Sequence, residues 1–236
     1  METQPLAIIS GGNGYLGSVI ADTIAGAGWR VVILARTLSK EASTESYECD
    51  ITDPDSVARV IKTITDTYGV IQACIHTASP RLARTRILDT DLESFDSHIA
   101  TAIRGAYLLA RATVPHMSIG AAFIGITTTA IESGKSPSPL GSYIPAKYAL
   151  RGFLRVLSSE VQSAGIRVYA VAPGFLPGGL NRDIPQKVVD FLTSKSDAGV
   201  ASPDDIAEII KEICINPEAI PSGSSISFPP RLISPL

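Results

Sequence analysis

Tyr143 and Lys147 stand four residues apart in Tyr143-Ile144-Pro145-Ala146-Lys147, at the start of a strongly helical segment. Four residues is just over one helical turn, so the two side chains share a face and lie near each other. An ammonium in that place stabilises phenolate and lowers the tyrosine pKa, which makes Tyr143 a candidate general acid or base near neutrality. Pro145 is compatible with a first helical turn and would break an interior. The same spacing also describes a surface tyrosine beside a solvated lysine, so it gains weight only from a second motif.

That motif lies near the N-terminus, in Ser10-Gly11-Gly12-Asn13-Gly14-Tyr15-Leu16-Gly17. Gly12, Gly14 and Gly17 satisfy G-x-G-x-x-G after a strand and before a helix, where glycines permit a tight turn and a close backbone approach to a pyrophosphate. The N-terminus of the following helix would stabilise the phosphate charge. At the end of the second strand, where an NAD-specific site places an acidic residue, the chain reads Leu34-Ala35-Arg36-Thr37. Arg36 suits a 2′-phosphate, so NADP(H) is favoured over NAD(H). Asn13 supplies no second cation in the loop.

The elements that must position these groups follow from hydrophobic patterning. Short apolar runs alternate with amphipathic segments, the pattern of βα units around a mostly parallel sheet. The sequence predicts strands over Leu6–Ser10, Arg30–Ala35, Ser46–Glu48, Ile71–His76, Ala121–Thr127, Ile166–Val171 and Ser224–Phe228. Helices are predicted to start near Tyr15, Pro54, Leu92, Ser142 and Pro203, with Asp53 and Ser202 as N-caps before a proline. The proline-serine loop over 132–142 and the tail PPRLISPL show no periodicity.

Composition agrees with one α/β domain over 1–236. Hydrophobic residues make up 45% and charged residues 18%, and the net charge of −3 argues against the basic surface of a nucleic-acid binder. The three cysteines, Cys49, Cys74 and Cys214, have no metal-ligand or CxxC spacing, and no metal site is expected. METQPLAIIS lacks the features of a signal peptide and no run approaches a membrane span, so a cytoplasmic protein without membrane partners is expected.

Together the glycine loop, the Tyr143/Lys147 pair and the later Val171-Ala172-Pro173-Gly174-Phe175 resemble the short-chain dehydrogenase/reductase family, over Leu6 to Phe228. The resemblance implies a doubly wound Rossmann fold with a mostly parallel seven-stranded sheet and helices on both faces. It also implies that Tyr143 protonates a carbonyl oxygen as hydride arrives from the nicotinamide, while Lys147 holds the ribose and tunes the tyrosine. Gly11, Gly12, Asn13, Gly14, Tyr15, Leu16 and Gly17 would cradle the phosphates. Asp50 and Ile51 fall at the adenine position, Thr77 and Ala78 after the fourth strand, and Pro173, Gly174, Phe175 and Leu176 along the nicotinamide. Dimers or tetramers through the helices Leu92–Met117 and Ser142–Ala164 are implied as well.

The chain also departs from the family pattern. Threonine stands where a serine is usual. Thr128, fifteen residues before Tyr143, takes that role here, with Thr129 as the alternative. His76-Thr77-Ala78-Ser79 replaces the usual Asn-Asn-Ala-Gly and looks more like the extended, sugar-nucleotide branch, although only about 60 residues follow Pro173, too few for that branch's substrate domain. The helix asparagine of the family's proton relay falls at Ala102. His76 reads as a hydrogen-bonded structural residue at the cofactor crevice, and His98 and His116 receive no chemistry.

Arg81, Arg84 and Arg86 sit on the ligand side of the sheet, as receivers of an anionic handle such as a phosphopantetheine carrier or a carboxylate, or as a solvated loop face. A flap is expected over about 176–198, around one short helix, with Phe175, Leu176, Leu180 and Phe191 suggesting a moderately hydrophobic substrate. Three readings fit these residues. They are an NADPH-dependent carbonyl reductase acting on a small carbonyl or alcohol, a non-catalytic NADP(H)-binding regulator or scaffold, and an enzyme of epimerisation or dehydration with tightly held NAD(P).

Overall fold

Alternate residues of β1 (Leu6–Ser10) feed opposite sides of the sheet, because successive strand side chains point to opposite faces. Leu6 and Ile8 join one apolar cluster and Ala7 and Ile9 another, and all four are buried. Both faces of this strand must therefore be covered, which explains its unbroken apolar run. A computed structural model of the chain describes residues 4–38, 44–132, 139–194 and 200–236.

The other strands are β2 (Arg30–Ala35), β3 (Glu45–Glu48), β4 (Ile71–His76), β5 (Met117–Ile126), β6 (Arg167–Pro173), β7 (Ser224–Phe228) and β8 (Leu232–Pro235). They form one sheet in the order β3-β2-β1-β4-β5-β6-β7-β8. All neighbours are parallel except β7 and β8. The chain starts at β1 and builds outward first to one side and then to the other, so the order reverses between β1 and β4. A crevice for a ligand opens at the carboxyl ends of the strands at such a reversal.

The sheet has eight strands where the sequence predicted seven. The eighth is made from the tail that showed no periodicity: Ile226 pairs with Ile233 across an antiparallel edge, and the Leu236 N–H donates to the Gly223 carbonyl. A four-residue edge strand bounded by proline carries almost no pattern of its own.

On one side of the sheet lie α2 (Pro54–Tyr68), α4 (Gly105–Thr113) and α5 (Tyr143–Val161), whose cluster includes Phe123 and Leu154. On the other lie α1 (Tyr15–Gly26) and α7 (Pro203–Ile215), packed with Ile20, Ile206 and the wholly buried Tyr169. Both predicted caps form. The Asp53 carboxylate accepts from the Asp55 N–H at 3.0 Å, and Ser202 and Asp205 make a reciprocal capping box.

The predicted long helix over Leu92–Met117 is not one α-helix. It divides into α3 (Leu92–Ile99), a π-helical turn over Ala100–Arg104, α4 and a short 3-10 turn. Among the small residues of these helices, Ala102, Ala106 and Ala146 are buried, whereas Ala149 and Gly152 are exposed. The flap contains a 3-10 turn over Gly179–Asn181 and then α6 (Gln186–Ser194). Its end at 195–199, like 133–138 of the proline-serine loop, lies outside the described residues, as does the side chain of Phe191.

Candidate active site

A cleft of about 1230 Å³ runs from the glycine loop to the flap. It exceeds the usual 300–1,000 Å³ of a small-molecule site and suits a dinucleotide with a substrate beside it. Its wall includes Gly11, Asn13, Gly14, Tyr15, Leu16 and Gly17, then Arg36, Asp50 and Ile51, Thr77 and Ala78, Thr128, Tyr143 and Lys147, and Pro173 through Leu176. Gly12 is the one predicted cofactor residue outside this lining; it packs on Ile33 beneath the loop.

The glycine loop is shaped by close backbone approach. Gly11 has φ +75°, and a Cβ there would lie 2.7 Å from the Cα of Ala78. Gly17 packs against the Gly11 carbonyl, where no side chain fits. Gly14 is the N-cap of α1 and offers no side-chain cap, and no acidic residue stands in the helix's first turn. The first N–H groups of α1 are thus left free of competing side chains at the cleft, as an incoming pyrophosphate requires. Thr77 fixes the opposite wall, with its N–H and hydroxyl both donating to the Ser10 carbonyl at 3.1 and 2.7 Å.

At the β2 end of the cleft the Asn13 amide donates to the Thr37 carbonyl at 2.9 Å, joining the glycine loop to the end of β2. Arg36 is exposed beside it. The Asp50 carboxylate accepts from the N–H and hydroxyl of Thr52, both at 2.8 Å. The Thr52 N–H, with Arg36 as a weaker influence, holds the Asp50 pKa below the usual carboxylate range.

At the other end, Tyr143 and Lys147 share one face of α5, as their spacing predicts. The Lys147 ammonium lies 5.5 Å from the centre of the Tyr143 ring and donates to the Ile126 carbonyl at 2.7 Å. Lys147 is only 5% exposed, and burial lowers its pKa to about 8. Thr128 lies near enough to the Tyr143 hydroxyl to act on its pKa, and Thr129 lines the same cleft. The expected lowering of the tyrosine pKa does not occur in the free protein. Burial pushes it up to about 12, with the nearby Thr128 side chain opposing, so Tyr143 is a protonated hydroxyl at neutral pH.

His76 is buried at the end of β4, its Nδ1 2.8 Å from the Ser10 hydroxyl. Its Nε2 is buried without a hydrogen-bond partner among the described residues, and the ring neighbours the backbone of Thr101 and Ala102 in the π-helical turn. Burial, reinforced by the Lys147 charge, lowers its pKa to about 3. His76 is thus a neutral link between β1 and the turn that carries Ala102. His116 is exposed.

His98 was given no part by its sequence, yet it is buried against Tyr143. Only its tertiary neighbour, 45 positions later, reveals it. The arginines after β4 all have partners: Arg81 pairs with Asp183 at 2.9 Å, Arg84 donates to the Asn181 side chain, and Arg86 pairs with Asp89 at 2.6 Å. The first two tie the loop after β4 to the flap. The ring of Tyr15 lies on Gly178 and Gly179, tying the glycine loop to the same segment.

A family model described as enoyl-(acyl carrier protein) reductase matches residues 14–226, nearly the whole of this arrangement. The chain belongs to the short-chain dehydrogenase/reductase family. This short-chain dehydrogenase/reductase is 30% identical over 205 residues to short-chain dehydrogenase reductase 5 of Arabidopsis thaliana, spanning 80% of this chain and 78% of the relative. It is 29% identical to carbonyl reductase family member 4 of Danio rerio, spanning 72% of this chain and 75% of that one. The fold matches the crystal structure of 3-ketoacyl-(acyl-carrier-protein) reductase from Brucella melitensis complexed with NADH, with TM-score 0.83 and 20% identity over 96% of this chain and 97% of that one.

The family is one of oxidoreductases that use a nicotinamide dinucleotide. The bare helix end, the glycine cradle and the cleft length in this chain fit such a group. Among the described residues, no group of three or more His, Cys, Asp or Glu could hold a metal ion, and no helix is long and apolar enough to cross a membrane.

Proposed function

We propose that the protein is an NADP(H)-dependent reductase of a small carbonyl compound, working in reverse as an alcohol dehydrogenase, with Tyr143 as general acid and base. The observation that carries this reading is the sharing of one cleft wall by Tyr143, Thr128, the buried Lys147 and the glycine loop. A bound nicotinamide supplies or accepts the hydride.

The chain's own residues do the rest. Gly11, Gly14, Gly17 and the N-terminus of α1 would hold the pyrophosphate, and Arg36 would meet the 2′-phosphate. The Thr128 hydroxyl orients the substrate oxygen, and the Tyr143 hydroxyl donates its proton to that oxygen. Lys147, held by Ile126, stabilises the phenolate that remains. Phe175, Leu176 and Leu180 give the substrate end an apolar wall. The exposed Tyr107, Tyr148 and Val156 on α4 and α5 support a homodimer or homotetramer.

The test is consumption of NADPH and of NADH with a panel of ketones, aldehydes and quinones. Carbonyl-dependent NADPH consumption supports the reading. Product formed without net loss of NADPH supports epimerisation or dehydration instead, and NADPH binding without turnover supports a regulator or scaffold.

A further inference from the structure

One buried polar residue beside the reacting tyrosine has no part in this chemistry. His98, in the last turn of α3, is 2% exposed and stands edge-on to Tyr143, with ring centres 6.4 Å apart and planes at 88°. Its Nδ1 is 2.9 Å from the Ser94 carbonyl oxygen and 3.1 Å from the Ser142 hydroxyl oxygen. A carbonyl oxygen only accepts, so Nδ1 carries the proton of the neutral ring. Nε2 is then a bare lone pair, buried and without a hydrogen-bond partner among the described residues.

Ser142 is equally unusual. It is wholly buried at the N-cap of α5, where a serine ordinarily accepts from the helix's own N–H groups. It makes no such bond, and its hydroxyl meets His98 instead. Two ordinary preferences are therefore given up at one place, the pairing of a buried nitrogen and the capping of a helix. A leucine at 98 with an alanine at 142 would fill the same space and leave no buried polar atom unpaired.

We propose that His98 is a positioning residue for Tyr143. Through Ser142 it fixes the chain's entry into α5, and through its ring edge it holds the tyrosine ring in the cleft wall it shares with Thr128. Burial and the charge of Lys147 keep His98 neutral, so it acts by geometry and transfers no proton. The proposal rests on the role given to Tyr143 above, and its test is separable from that role.

The full-length protein is labelled with 3-fluorotyrosine, and Tyr143→Phe identifies the Tyr143 fluorine resonance. His98→Leu keeps the bulk and removes the donor, His98→Asn keeps a donor at the Nδ1 place, and Ser142→Ala removes the hydroxyl alone. The expected result is a single Tyr143 resonance in the wild type and in His98→Asn that moves or doubles in His98→Leu and Ser142→Ala. In parallel, kcat falls about tenfold or more in His98→Leu with KM for NADPH within about twofold, and His98→Asn restores most of it.

A Tyr143 resonance unmoved in His98→Leu overturns the proposal and makes His98 a core filler. If His98→Leu does not fold, an unmoved resonance in Ser142→Ala overturns it. Should the wild type reduce no carbonyl, the proposed function fails, and the fluorine resonance still decides for or against His98.

Discussion

The Lys147 ammonium donates to the carbonyl oxygen of Ile126, the last residue of β5, at 2.7 Å. The bond ties α5, one turn beyond Tyr143, to the strand that leads into Thr128. It satisfies one of three ammonium protons in a site that is 5% exposed, so the charge still resists burial and the lysine pKa falls from 10.5 to about 8. Between these two values the unfolded chain holds more protons than the folded one. The stability of the free protein therefore rises with pH across that window. Lys147→Met removes this rise, and denaturant unfolding at about pH 7 and about pH 10 measures it; the difference in slope integrates to about 3 kcal/mol. A wild-type curve that is flat or falling over the window contradicts the assignment.

His76 gives the complementary expectation on the acid side. Its folded pKa is lowered from 6.5 to about 3, so protons favour the unfolded chain and stability falls as pH drops through that interval. His76→Asn retains a polar group at the Ser10 hydroxyl and flattens this part of the acid unfolding curve. An unchanged curve in His76→Asn would assign the acid sensitivity to other groups.

Arg36 is exposed at the end of β2, and the proposed function assigns it to the 2′-phosphate. Arg36→Asp is expected to weaken NADPH about tenfold to a hundredfold and to bring NADH up to equal or better affinity, read by fluorescence titration of both cofactors. Equal loss for both cofactors would place Arg36 elsewhere on the nucleotide.

Gly11→Ala puts a Cβ at 2.7 Å from the Ala78 backbone on a residue with φ +75°. Strain of about 1–3 kcal/mol is expected, with loss of cofactor binding at temperatures where the protein remains folded. Thermal unfolding with and without NADPH separates the two effects: the variant should melt lower and gain little from the cofactor.

Arg81 and Arg84 are tied to Asp183 and Asn181 of the flap. The Arg81–Asp183 pair is exposed, and exposed pairs contribute only about 0–1 kcal/mol, so glutamine at 81 and 84 leaves the melting temperature almost unchanged. If these arginines hold the flap, KM rises for neutral and acidic substrates alike. If they receive an anionic handle, it rises for acidic substrates alone.

Much of this architecture was legible in the sequence for identifiable reasons. β1, β2 and β4 are apolar through most of their length because helices cover both faces, and Asp53 and Ser202 stand directly before prolines. Tyr143 and Lys147 were found because a helix converts sequence spacing into a shared face. β8 was missed because an exposed four-residue edge has no buried face to mark it. The π-helical turn at Ala100–Arg104 was missed because Ala-Thr-Ala-Ile-Arg reads as ordinary helix. The place of His98 depends on contacts across the fold, which spacing along the chain does not carry.

The most direct test of Tyr143 as the proton donor is turnover and NADPH binding by the wild type and Tyr143→Phe in one preparation, with the carbonyl the wild type reduces fastest. Removing the hydroxyl is expected to lower kcat by about a hundredfold or more, while the dissociation constant for NADPH changes by no more than about threefold. Undiminished turnover by Tyr143→Phe would contradict that role.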